Sequence, residues 1–263
     1  MDTLTPRNLE FFRQHGYVTL PDLLSLKETT SFLKLFDDDR EHHRYRWHQY
    51  GHHQSANYDA LVTTPAFDRV VRHPLILETI VELMGGPVCF GEIGARYMGP
   101  YEGEGVHQGW HRDRPQAQDH PLRMDYIQLM VYLTDVDEST HCFSISPEAI
   151  ADPLIQDNPA QLERGGCHDI HGPAGTVCLF NVSVLHTATT RPTQADRKTL
   201  QIYYGHLGGA PLANDSVIPA AFWKDHPDAD VRAMYGNLNE VTRLYARAFG
   251  INDDAGSHIA QEK

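Results

Sequence analysis

The sequence predicts a mainly β, α+β protein: a β-sandwich or barrel at the centre, with helices packed from its N-terminal side and a helical extension after it. Three observations predict it. Between Pro87 and His206 short β-rich runs alternate with Gly, Pro and Asp clusters. Before Pro87 and after Pro211 the apolar residues recur at helical spacing. No internal repeat or low-complexity tract divides the chain, and 263 residues suit one large β domain. Residues 1–263 therefore read as a single domain, with a helical part over 1–86, a β core over about 87–206 and a helical extension over about 211–250.

Thr5 before Pro6 sets a capping residue ahead of a proline at the first helical position; Leu9, Phe11 and Phe12 give that helix its apolar face, and Gly16 stops it. Tyr17–Leu20 reads as a short strand. Ser25 with Glu28 forms a capping box for a second helix, whose expected buried stripe is Leu26, Phe32, Leu33 and Phe36. A further helix enters at Pro74, carries Leu75, Leu77, Ile80, Val81 and Met84, and closes at Gly85-Gly86. The β runs are Val88–Phe90, Ile127–Leu133, Thr176–Phe180 and Thr199–Tyr204. Beyond Pro211, Val231, Met234, Leu238, Val241, Leu244 and Tyr245 restore helical spacing, while Asp228, Asp230 and Glu240 read as a solvated helix face.

Composition narrows the function. Twenty-two Lys+Arg against 35 Asp+Glu leave a formal charge of −13, the wrong sign for a protein that neutralises phosphate backbones or anionic lipid. No nucleic-acid or membrane partner is expected; a small-molecule substrate is. The opening MDTLTPRNLEFF lacks a basic stretch followed by an apolar one, no run reaches the ~18 apolar residues of a membrane helix, and the four cysteines show no C-x-x-C pair. A cytoplasmic location with free thiols is the expectation. Histidine is the anomaly, with 17 copies.

In Gly109-Trp110-His111-Arg112-Asp113, His111 and Asp113 stand two residues apart, so strand alternation aims a nitrogen and an oxygen ligand at one face. His186 ends another β run, and antiparallel pairing brings such a residue opposite the first two. Two imidazoles and one carboxylate on one side of an ion form the facial arrangement that suits non-haem Fe(II) and leaves three positions open. Eleven residues past His186 comes Arg197, a fork that reads a carboxylate bidentately, with the Thr199 hydroxyl two residues on along the same strand face.

These residues resemble the phytanoyl-CoA dioxygenase-like branch of the Fe(II)/2-oxoglutarate oxygenases, over most of the chain. The opening LTPRNLEFFRQHGYVTLPDLLS is similar to the family's own, the H-x-D lies in GWHRDRP, and Gly175–Phe180 is similar to its Gly-led strand before the distal histidine. A lone H-x-D is weak; the ordered set with His186 and Arg197 is much stronger. The resemblance implies a double-stranded β-helix, or jelly roll. It implies iron on His111, Asp113 and His186, and 2-oxoglutarate chelating it while Arg197, helped by Thr199, binds the far carboxylate. It further implies O2 as oxidant, with decarboxylation to succinate and CO2 driving attack on an unactivated C–H bond. Hydroxylation of a small or medium-sized metabolite is the expected outcome. The alternatives are desaturation, epoxidation or rearrangement at the same centre, a non-catalytic jelly-roll binding protein, and a cupin-like metalloenzyme that does without 2-oxoglutarate.

The sequence departs from the pattern at Ala188, where family members often carry a serine that bonds the co-substrate, so Thr199 or Thr187 must replace it. Ser146-Pro147-Glu148 replaces the family's usual G-S-H stretch. Asp113 fills the position that halogenating relatives vacate for chloride.

Other readings compete for the remaining residues. His107 and His111 have zincin spacing, but position 108 is Gln, so the general base is missing. Cys167, His168 and His171, with His141 and Cys142, match no zinc ribbon or finger. The stretch from Arg40 to Tyr58 is either a solvated loop or a lid in which Arg44, Arg46, Trp47, His48 and Tyr50 grip a polar or anionic substrate. Arg96 is either a surface ion-pair member or a substrate carboxylate clamp. Tyr126, Gln128, Met130 and Tyr132 share one strand face and either line the cavity or pack across strands. Trp110 is expected in the core.

Overall fold

The structure is a computed structural model that describes residues 4–253; the first residues of the opening read for a targeting signal, Met1–Thr3, lie outside them. Helix α1 (Pro6–His15) starts where Thr5 accepts from the Asn8 N–H and ends at Gly16, whose φ of 76° needs a residue without a Cβ. Strand β1 (Tyr17–Leu20) follows, then α2 (Leu26–His42) with both hydrogen bonds of the Ser25–Glu28 capping box in place. Leu26 is 81% exposed: as the first helical residue it faces solvent, and the buried stripe is Thr29, Phe32, Phe36 and Asp39. A single turn at Arg44–Arg46 leads into β2 (His48–Gln49) and β3 (Ser55–Asn57), and the short helices α3 (Ala60–Thr63) and α4 (Asp68–Val71) precede α5 (Pro74–Met84). In α5 the core face runs through Ile76, Thr79, Ile80, Leu83 and Met84, whereas Leu75 is largely exposed.

From here the chain alternates between two antiparallel sheets. Strand β4 (Val88–Met98) is far longer than the Val88–Phe90 run, because Gly91 and Gly94 break the apolar pattern without breaking the ladder. It is followed by β5 (His107–Gln108), β6 (Tyr126–Tyr132), β7 (Cys142–Ile145), helix α6 (Asn158–Gly165), β8 (His168–Ile170), β9 (Val177–Asn181), β10 (His186–Thr190) and β11 (Arg197–His206). The larger sheet has the order β1-β9-β6-β11-β4-β3-β2 and the smaller β5-β10-β7-β8, the layered arrangement of a jelly roll.

Period-two alternation sorts the side chains. Leu129, Val131, Leu179, Leu200, Ile202 and Tyr204 turn toward the helices and join Phe12, Phe32, Phe36 and Ile80 in the main core. Met130, Cys178 and Phe180 turn the other way, meeting Phe143, Ile145 and Ile170 of the smaller sheet. The outer ends of that second layer form the site. After β11 the helical stretch is broken into α7 (Ala220–Trp223), α8 (Ala229–Tyr235) and α9 (Glu240–Ala248). Val231, Met234 and Leu238 are buried, but Leu244 and Tyr245 are exposed, because the break re-aims α9. All four cysteines are free, and no helix among the described residues is long and apolar enough to cross a membrane.

Candidate active site

His186 opens β10, paired to β7 through Ile145. His111 is not in a regular strand; it holds its place through one isolated bridge, exchanging two 3.0 Å backbone hydrogen bonds with His186. The Asp113 N–H then donates to the Val182 carbonyl at 3.0 Å. Two short anchorages thus do what strand alternation was expected to do. His111 Nε2 lies 3.3 Å and His186 Nε2 3.6 Å from the Asp113 carboxylate, and a ligand atom from each residue lies within 4.8 Å of the others.

The outer contacts fix the orientation. Nδ1 of His111 donates to the Gly109 carbonyl and Nδ1 of His186 to the Val184 carbonyl, each at 2.8 Å. A carbonyl only accepts, so a proton sits on each Nδ1, and Nε2 is the nitrogen of each ring that faces Asp113. Burial pushes the Asp113 carboxyl up, but the facing imidazoles of His186 and His111 outweigh it and hold it well below the ordinary carboxylate range. The Tyr203 hydroxyl donates to Asp113 Oδ2 at 2.9 Å, a partner the sequence reading missed although Tyr203 shares the alternation of Arg197 and Thr199. Two imidazole nitrogens and one anionic oxygen on one side fit an Fe(II) ion.

Arg197 is 1% exposed, and its Nε, Nη1 and Nη2 have no hydrogen-bond partner; the buried Thr199 hydroxyl is equally unmatched. Burial pulls the Arg197 pKa down, and neighbouring Arg96 adds to the effect. An unpaired buried guanidinium is costly, and a carboxylate-bearing ligand relieves that cost. Ala188 lines the same cavity, and Thr187 is already engaged: its hydroxyl donates to the Ala188 carbonyl and accepts from the Gly109 N–H at 2.9 Å. Thr199 is the hydroxyl left free.

His111, Asp113, His186, Arg197 and Tyr203 share a cavity of about 260 Å³, walled also by Gln128, Met130, Phe143, Gln201 and Arg96; Thr199, between Arg197 and Gln201 on β11, is not part of that wall. Gln128 Nε2 donates to Gln201 Oε1 at 3.0 Å. Tyr126 lies outside the cavity, its hydroxyl on the Ala210 carbonyl, and Tyr132 is bonded to the Ile170 carbonyl. Of the Arg40–Tyr58 stretch, Tyr50, Gly51, His52 and Gln54 reach the cavity. Trp47 instead packs on Phe36 with Nε1 on Asp39 at 2.9 Å, and His48 is exposed on the sheet edge. Trp110 is only partly buried.

The zinc alternatives are occupied by other contacts. His107 lies against His52 with ring centres 3.9 Å apart and the rings tilted by 36°, and His141 Nε2 bonds the Gly99 carbonyl. Cys142, Asp169 and His171 do converge, but Arg191 already neutralises Asp169 at 2.5 Å and lies 3.3 Å from the Cys142 sulfur.

Residues 12–199 match the family described as phytanoyl-CoA dioxygenase (PhyH). Among solved structures, the chain is similar to EctD from S. alaskensis with 2-oxoglutarate and 5-hydroxyectoine: TM-score 0.66, 16% identity, 80% of each chain covered. It is similar to SnoK, an alpha-ketoglutarate-dependent carbocyclase from nogalamycin biosynthesis: TM-score 0.65, 20% identity, 78% of this chain and 85% of that one. HygX from Streptomyces hygroscopicus, with nickel, 2-oxoglutarate and hygromycin B bound, gives TM-score 0.63 at 18% identity over 86% and 95%. No curated protein sequence matches the chain.

Proposed function

The chain belongs to the phytanoyl-CoA dioxygenase family, and from that premise we propose that it hydroxylates an unactivated C–H bond of a small or medium-sized metabolite, releasing succinate and CO2. The observation that carries this reading is the pairing, in one cavity, of a facial His111–Asp113–His186 set with a buried Arg197 fork that has no protein acceptor.

His111, Asp113 and His186 would hold Fe(II), while Arg197 and Thr199 would receive the far carboxylate of 2-oxoglutarate. When bound, the metal and co-substrate supply the O2-derived oxidant for the C–H bond. The chain's own residues position and exclude. The Nδ1–H bonds lock both imidazoles, Tyr203 holds the outer carboxylate oxygen, and Thr199 takes over the task that Ala188 lacks a hydroxyl for. Met130 and Phe143 make part of the wall apolar, so bulk water is kept from the reacting atoms. Gln128 and Gln201, joined to each other, offer polar contacts to a substrate.

Anaerobic addition of Fe(II) and 2-oxoglutarate should give a weak visible charge-transfer band, lost in His186→Ala, whose succinate release should fall more than about 100-fold. Folded wild-type protein without that band would defeat the reading. A product heavier by one oxygen, and not lighter by two hydrogens, separates hydroxylation from desaturation.

A further inference from the structure

A second guanidinium opens into the same cavity, and nothing in the oxygenase chemistry uses it. Arg96, on β4 opposite Thr199, lines the cavity and forms no ion pair with any carboxylate among the described residues. Its Nη2 donates to the Tyr58 hydroxyl at 3.0 Å, its guanidinium carbon lies 4.4 Å over the Tyr50 ring, and its buried Nε has no acceptor. The placement is built in. A Cβ on Gly94 would come within 3.2 Å of Arg96 Nε and 3.5 Å of the Tyr58 ring, so the glycine makes room for both.

The neighbour that should neutralise Arg96 does not. Glu92, four residues earlier on the same face of β4, is buried, and burial followed by the Asp215 charge pushes its carboxyl up to about 8. It is mainly the neutral acid at pH 7. Meanwhile an Fe(II) ion, the Asp113 carboxylate, the 2-oxoglutarate dianion and the Arg197 guanidinium would cancel one another, leaving Arg96 as the surplus charge. Its tyrosine cage supplies π faces and one phenol oxygen but no anion.

We propose that Arg96, held by Tyr50 and Tyr58, is the clamp for a singly charged substrate anion, and that the substrate is a carboxylate-bearing metabolite. This rests on the oxygenase reading for the word substrate, but the anion site itself does not. Arg96 fixes the anionic end, and the lid residue Tyr50 covers it.

The test uses full-length protein and trifluoroacetate as the probe, with trifluoroacetamide as its neutral counterpart, followed by fluorine NMR. In metal-free Arg197→Gln protein, shown to be folded by circular dichroism, trifluoroacetate should bind saturably and trifluoroacetamide should not. Adding Arg96→Gln should weaken that binding at least tenfold, whereas Arg96→Lys should retain part of it. Equal binding by the single and double variants, or equal binding of the two probes, would overturn the anion site. In wild type loaded with Fe(II) and 2-oxoglutarate, the bound fluorine signal should broaden beside the paramagnetic ion. A sharp signal would place the anion away from the metal and overturn the clamp. Because the first titration contains neither iron nor 2-oxoglutarate, its failure is distinct from loss of the charge-transfer band, which reports on the oxygenase reading alone.

Discussion

At the floor of the cavity the polar groups stand on β10 and β11, strands hydrogen-bonded on both sides, and strand alternation turns Arg197, Gln201 and Tyr203 inward together. At the mouth the groups come from the two-stranded edge β2–β3 and the loop between them, and their positions depend on contacts with distant elements. Asp39, fully buried at the end of α2, accepts from Trp47 Nε1, Asn57 Nδ2 and the Thr63 and Thr64 hydroxyls. The floor is thus rigid by ladder, the mouth by one buried carboxylate and a tyrosine–arginine cage. Preorganisation where the metal and co-substrate belong, and adaptable polar contacts where a substrate must enter, is the division this comparison teaches.

The largest effect is expected at the floor. Arg197→Met removes the only charge there without a protein partner and keeps most of the volume. Truncating one side of a buried charge pair costs about 2–5 kcal/mol, so affinity for 2-oxoglutarate should fall by roughly 30-fold to several thousandfold in a charge-transfer titration. The ligand-free variant should melt higher than wild type, because a buried unpaired charge is replaced by an apolar side chain, a change worth about 1–4 kcal/mol. Unchanged 2-oxoglutarate affinity together with a lower melting temperature would mean that Arg197 faces structure and not a ligand.

The same contrast explains what the sequence disclosed. The shared strand face of Arg197 and Thr199 was legible because strand period and short spacing convert directly into geometry, whereas His186, read as the end of a β run, instead opens β10, because the chain turns between Asn181 and His186. Legible too were the caps at Thr5 and Ser25 and the stop at Gly16, all of them local devices. Tyr203 was within reach of the same alternation but was not read. Cavity contacts by Gly51, His52 and Gln54 had no local signal, since the mouth is set by residues such as Asp39 that lie far off in sequence. Dense Arg, His and aromatic composition marked the stretch but not its members: Tyr50 reaches the cavity, Trp47 and His48 do not. Leu26 and Leu75 were misplaced for another reason, both being apolar residues of a first helical turn, where the core face has not yet come round.

A smaller effect is expected beneath the mouth, at Glu92. Its carboxyl has an ordinary value of 4.5 and is pushed up to about 8, first by burial and then by Asp215. Between those pH values the folded protein keeps a proton that the unfolded chain has released, so stability must fall as pH rises through this window. The full cost above pH 8 is at most about 4–5 kcal/mol, and about 3 kcal/mol at pH 7. Glu92→Gln, neutral throughout, should flatten the decline of melting temperature between pH 5.5 and 8.5 in metal-free protein. Parallel curves for variant and wild type would show Glu92 ionised in the fold, and Arg96 would then have a counter-charge at hand.

The smallest effect separates fastening the mouth from touching what passes through it. Trp47 sits in the most arginine- and histidine-rich part of the chain, yet its indole packs on Phe36 with ring centres 5.1 Å apart and donates to Asp39, outside the cavity lining. Trp47→Phe keeps an aromatic ring on Phe36 and removes one N–H from a carboxylate that retains its Asn57, Thr63 and Thr64 donors. The loss should be about 1 kcal/mol in chemical denaturation. KM for 2-oxoglutarate and the substrate-coupled rate of succinate release should both stay within about twofold of wild type, since a fastening acts on how often the mouth opens and not on the reacting geometry. A KM that rises with stability intact would instead put the indole against the substrate, and the mouth would then be as directly functional as the floor.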